Sequence, residues 1–217
     1  MLGDLLVEQG QHARGRCIAL ELAAEAARAS GDVERAGALE HESAALQRDE
    51  REVLLGAEVV ALERERPRGH DQHYLALRLR RGFVDHARIV LNTAPTSSGA
   101  SEAEVMAPLS TLLASEAAEL MRALEVHLFD DVFAEASVPL VIERVAAAPR
   151  RALRTIDMLL FDNLPVERGA NAPHAFEPET PDIEALYAAV PRLKRLDCSW
   201  YDGRALLVPP SLDPRFV

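Results

Sequence analysis

Three groups of residues in this chain have side chains suited to chemistry. The first is His70, Asp71 and His73 in "RGHDQHY". An H-x-x-H spacing offers two imidazoles to a metal, but zinc takes three or four ligands with second-layer support. No H-E-x-x-H motif or Cys pair completes the set. The stretch follows Pro67 and Gly69 and reads as a loop. The second group is Cys17 and Cys198, in Arg-Cys-Ile-Ala and Leu-Asp-Cys-Ser-Trp. A nucleophilic cysteine needs a partner base and an oxyanion site. These apolar contexts instead predict two reduced, buried thiols. The third is Asp85-His86, which reads as a surface or linker pair. The sequence holds no P-loop, G-x-G-x-x-G or G-x-S-x-G. The expectation is a protein with no catalytic residues, no cofactor and no metal: not an enzyme.

The elements that would position any site change character along the chain. Residues 1–65 carry strong helix formers at helical spacing, such as "ARGRCIALELAAEAARAS". Ser30-Gly31-Asp32 breaks the run, with Gly31 past one helix end and Asp32 capping the next. A further boundary is expected near Asp49, because one helix from Val33 to Arg66 would be unusually long. After Pro67 and Gly69 the period becomes two. Leu75, Leu77 and Leu79 alternate with Ala76, Arg78 and Arg80, and Ala87, Ile89 and Leu91 alternate beyond Gly82. "NTAPTSSGAS" at 92–101 is a loop. Helix and strand then alternate. "SEAEVMAPLSTLLASEAAEL", "PLVIERVAAAP" and "DIEALYAAVP" read as helical, and "ALEVHLF", "RTIDMLL" and "KRLDCSW" as strands. "ALLVPP" reads as a last extended piece.

Three segments align: "MRALEVHLFDD" from Met121, "LRTIDMLLFDN" from Leu153 and "LKRLDCSWYDG" from Leu193. Each carries a base, then Leu or Ile, an acid, an apolar residue, an aromatic and Asp. A helix and a strand recurring in this way are the pattern of a solenoid. The L-x-x-L-x-L core resembles leucine-rich repeats. Starts 32 and 40 residues apart are longer than the usual repeat, so the units are degenerate. In a parallel stack, equivalent positions lie ~4.8 Å apart. Leu124, Ile156 and Leu196 would form one buried ladder, and Val126, Met158 and Cys198 the next. Glu125, Asp157 and Asp197 would form a column of carboxylates on the opposite, open face. His127, Leu159 and Ser199 would follow, and Arg122, Arg154 and Lys194 would form a basic column near the strand starts.

"GDLLVEQGQHARGRCIALELA" resembles the repeat-companion domain that precedes leucine-rich-type repeats in large bacterial paralogue families. The resemblance rests on Asp4, Leu5, Leu6, Glu8, Gly10, Arg14, Gly15 and Ile18-Ala19-Leu20. Leu5 stands where the family usually has Trp, and Gln11-His12 replaces Asp-Pro. "LRRGFVDHARI" is similar to the strand pair that joins this domain to the first repeat. The resemblance implies a helical cap over residues 1–70, a leucine-rich-repeat-like α/β solenoid with a mostly parallel sheet over 71–217, and an interaction scaffold. A tetratricopeptide reading of "AARASGDVERAGALEHESAAL" has one unit and no second copy.

Charge narrows the partners. A net charge of −11 opposes nonspecific nucleic-acid binding and an anionic membrane surface. It favours a basic protein segment. Three acids in one column read either as a solvated face balanced by nearby bases or as a docking strip for such a segment. The partner-binding candidates are Glu125, His127, Asp157, Leu159, Asp197 and Ser199. Lys194 is the one lysine among 24 basic residues, which points to a GC-rich bacterial genome. The N-terminus has no signal-peptide pattern and no apolar run reaches the ~20 residues of a membrane span, so a cytoplasmic location is expected. The leading expectation is a non-enzymatic protein–protein interaction module. The alternative is a regulated component, substrate or inhibitor, of a protease-controlled bacterial stress or antiviral system, with "LRLRRGF" as the cleavage site. The last strand of such a stack needs a cap or another chain on its edge.

Overall fold

The computed structural model describes residues 2–65, 74–92, 102–130, 134–148, 150–162 and 183–200. The candidate metal loop at His70, Asp71 and His73, the loop at 93–101 and the extended piece "ALLVPP" lie outside them. The helices are α1 (Leu2–Glu8), α2 (His12–Ala29), α3 (Val33–Asp49), α4 (Arg51–Leu55) and α5 (Ala57–Arg64), then α6 (Glu102–Ala114), α7 (Ala134–Ala147) and α8 (Ile183–Ala189). The strands are β1 (Leu75–Arg80), β2 (Phe83–Asn92), β3 (Ala123–Asp130), β4 (Thr155–Asp162) and β5 (Arg195–Trp200). Among the described residues this is a mixed α/β fold of eight α-helices on a five-stranded, mostly parallel open sheet.

Local chemistry accounts for the breaks. The Asp32 carboxylate accepts a hydrogen bond from the Arg35 amide at 3.1 Å and starts α3. Arg81 and Gly82 join β1 to β2, both with positive φ, 56° and 74°. That is the two-residue turn whose twist matches paired strands, and glycine at one position lowers its strain. α7 begins at Ala134, five residues before the segment from Pro139 that reads as helical. Pro139 lies inside the helix. It forgoes one internal hydrogen bond while Val141, Ile142 and Val145 bury their side chains.

Strand order follows chain order. β1 pairs antiparallel with β2, and β2 to β5 pair in parallel. Right-handed crossovers that always step in one direction place their helices on one face of the sheet. The inward strand residues Ile89, Leu124, Val126, Ile156, Met158 and Cys198 pack into one core with Leu109 of α6, Val141 of α7 and Leu186 of α8. The same core runs into the N-terminal helices through Cys17, Leu46, Leu54 and Val60. The helical segment therefore closes one end of the sheet.

Arg14 fastens the two parts. It is 9% exposed, and its Nη2 donates to the Leu54 carbonyl at 3.0 Å. Its Nη1 donates to Gln11 Oε1 at 3.0 Å, and its guanidinium lies 5.0 Å from the centre of the Phe83 ring. Its side-chain carbons pack on Gly82, where a Cβ would stand 3.1 Å from Arg14 Cα. At the next residue, a Cβ on Gly15 would meet Val7 Cγ2 at 2.4 Å, so only glycine lets α1 pack this closely on α2. Glu21 Oε1 accepts from the Arg81 amide at 2.8 Å and ties the hairpin turn to α2.

Replacing Arg14 by Ala removes a buried charged hydrogen bond and the ring contact, and strands the Leu54 carbonyl. The expected loss is about 2–4 kcal/mol. Thermal denaturation followed by circular dichroism should show a fall of about 5–15 °C. Lys in its place should recover less than half, because an ammonium cannot reproduce the planar fork.

Candidate interaction face

The face of the sheet opposite α6–α8 is built from alternate residues of each strand. The register sets them in rows. Arg78, His86, Ala123, Thr155 and Arg195 form the first row. Ala76, Arg88, Glu125, Asp157 and Asp197 form the second. Val90, His127, Leu159 and Ser199 form the third, and Phe129 pairs with Phe161 beyond them. The three carboxylates expected to share a column therefore stand side by side. So do the two buried ladders, Leu124–Ile156–Leu196 and Val126–Met158–Cys198.

Like charges at strand spacing need compensation, and the structure supplies it from three sides. Arg195 Nε lies 3.0 Å from Asp157 Oδ1, and its Nη2 lies 3.5 Å from Asp197 Oδ2. The first approach is an ion pair without hydrogen-bond alignment, so Asp157 Oδ1 is left without a hydrogen bond. Glu125 is bracketed by two imidazoles. His86 Nε2 lies 3.5 Å from Oε2, and His127 Nε2 contacts Oε1. Asp157, in the middle, is held above the usual carboxyl range. Burial is the main cause, opposed by Arg195, reinforced by Asp197 and Glu125, and eased by His86.

Two departures from the sequence reading stand out. His127, expected as an accessible contact, is buried at 6% exposure. Its ring centre lies 5.3 Å from that of Phe161, and Phe129 and Phe161 stack at 4.2 Å and 8°. Its Nδ1 has no hydrogen-bond partner among the described residues. Leu159 and Ser199, on the same row, are half-buried. The face thus divides into a charged half near the strand starts and an apolar half near the strand ends.

The second departure is Asp85-His86, read as a surface or linker pair. Arg78 pairs with His86 and Leu79 with Val84, which leaves Asp85 as the extra residue of a β-bulge. Its carboxylate is buried. Arg78 Nη2 donates to it at 2.9 Å, Arg122 grips its other oxygen, and its carbonyl accepts from the Arg122 amide at 2.9 Å. The sequence carried a signal: Val84 and Ala87, both inward, are three residues apart where alternation requires two or four.

The remaining candidates have structural places. Cys17 and Cys198 are buried and form no disulfide among the described residues. The Cys17 thiol is pushed up to about 11, first by burial and then by Glu21, against a smaller pull from Arg16. That leaves it protonated and unreactive at neutral pH. Among the described residues there is no group of three or more His, Cys, Asp and Glu side chains able to hold a metal ion. None of their helices is long and apolar enough to cross a membrane. No family model, curated protein or solved structure matches the chain.

A raised carboxyl pKa means the fold disfavours ionised Asp157. That residue's contribution is best below the unfolded pKa of ~3.9 and is lost as pH rises through the folded value. Asp157→Asn should therefore stabilise the protein at neutral pH and not near pH 3. Solvent screening at a side chain 37% exposed keeps the gain below about 1 kcal/mol, or roughly 2–4 °C in Tm. An equal or lower Tm at pH 7 would mean that the Arg195 contact outweighs the repulsion.

Proposed function

We propose that this chain is a non-enzymatic protein–protein interaction module, its sheet a short, degenerate leucine-rich-repeat-like solenoid and its N-terminal helices a repeat-companion cap. The in-register row of Glu125, Asp157 and Asp197 on the face away from the helices carries this reading. Three successive helix–strand units present a carboxylate at the same place, which suits a surface more than a pocket. The motif residues of the companion resemblance have structural work that suits a cap: Arg14 reaches the hairpin, and Gly15 seats α1.

The partner on this reading is a protein with a basic, extended segment, met in the cytoplasm. Arginines on the segment would join Arg195 as counter-charges along the row. The half-buried Leu159 and Ser199 would border the contact. His127 acts from beneath, by orienting Glu125.

The test is capture from the native cells, with mass spectrometry, at about 50 and about 500 mM salt, which span weak and strong screening. A stoichiometric partner should be lost at high salt and lost to the triple variant E125K/D157N/D197K at low salt. Capture that survives both would remove the acidic row as the interface.

The protease-substrate reading has less support. Arg80 and Arg81 sit at the hairpin turn, the Arg81 amide is held by Glu21, and both guanidiniums reach Glu25. Proteases need a locally extended chain, so trypsin should cut after Arg80 or Arg81 far more slowly in the native protein than in denaturant. Equal rates would reopen that reading.

A further inference from the structure

The turns that enter β3, β4 and β5 lie side by side at the strand-start end of the sheet. The Arg154 amide donates to the Arg122 carbonyl at 2.8 Å, and the Lys194 amide donates to the Arg154 carbonyl at 2.7 Å. These turns are rich in cations. Arg122 is committed to Asp85, and Arg150 is half-buried with Glu119 acting on it. Arg151, Arg154, Arg192 and Lys194 remain, all exposed, and none has an ion pair among the described residues.

This concentration runs against the rest of the molecule. Residues 1–65 hold 14 acidic and 7 basic residues, and the whole chain has a net charge of −11. Two structural explanations fall short. The acid row is three residues along the strands, roughly 10 Å away, beyond direct pairing. The C-termini of α7 and α8 favour nearby cations, but only within the last turn, and Arg154 and Lys194 stand at the strands instead.

We propose that this edge is a second docking strip, which takes a short acidic segment of a protein partner laid across the three turns. The outer two strand starts are two strand spacings apart, roughly 10 Å, the length of three or four extended residues. Guanidiniums bind carboxylates in paired hydrogen bonds, which suits Asp or Glu side chains on such a segment. A long polyanion would extend past the strip into the field of the acidic body, whereas a short acidic segment stays on it. The strip is independent of the acidic row and stands if that row has no partner.

The probe is a fluorescein-labelled octaglutamate peptide, followed by anisotropy against the full chain at about 50 mM salt, where screening is weak. Each exposed pair contributes up to about five-fold, so R151E/R154E/R192E/K194E should weaken binding at least ten-fold. The milder R154Q/K194Q should weaken it in the same direction. The control R16E/R35E/R48E/R64E makes the same net charge change on exposed helix positions away from the strip and should leave affinity within about two-fold. Three results would overturn the proposal: no binding to the wild type, equal loss in the control, or tighter binding of a single-stranded DNA octamer than of the peptide.

Discussion

The buried carboxylate of Asp85 sets the frame for the rest of the sheet. As the extra residue of a bulge it is buried at the point where the antiparallel hairpin meets the first parallel strand. There it binds Arg78 of β1 and Arg122, which leads into β3, while its carbonyl takes the Arg122 amide. A buried acid of this kind is stable only with its cations in place, and losing one partner strands a charge in a poor solvent. The start of β3 is thereby fixed against β2. The Arg122 carbonyl then receives the Arg154 amide, and the Arg154 carbonyl the Lys194 amide, so one register passes to β4 and β5.

Because the register passes on unchanged from β3 to β5, the aliphatic and the acidic positions repeat laterally. Aliphatic residues fall on aliphatic residues and give a continuous core under α6–α8. The same rule forces acid beside acid on the other face. The structure accommodates this by mixing in Arg195, His86 and His127, and by letting Asp157 sit at a raised pKa rather than separating the charges. Surface charge that folding tolerates at some expense is charge available to a partner. The N-terminal helices close the other end of the stack, where an uncovered hairpin edge would invite aggregation. Arg14 does this with one side chain that reaches α4 and the hairpin together.

Much of the architecture was legible because it rests on short-range rules. Alternation in "YLALRLR" and "RTIDMLLFDN", the break at Ser30-Gly31-Asp32 and the recurring acid in three segments follow from strand period, capping and self-similarity within a few residues. Rows across strands could be inferred because like segments in a parallel stack pair at like positions. The first turn of α7 was missed, while burial of Val141, Ile142 and Val145 sustains a longer helix that runs through Pro139.

By itself the sequence determined the N-terminal helices, the three like strands, the acid row and the two buried cysteines. Each depends on residue types at fixed local spacing. Only the tertiary structure decided the roles of Asp85, His86, His127 and Arg14. An aspartate in a strand looks exposed until two arginines, 7 and 37 residues away, are folded onto it. A histidine on an open face looks accessible until stacked Phe129 and Phe161 lie beside it and Glu125 holds it. The burial of a polar group is set by partners distant in the chain, and local spacing does not encode them.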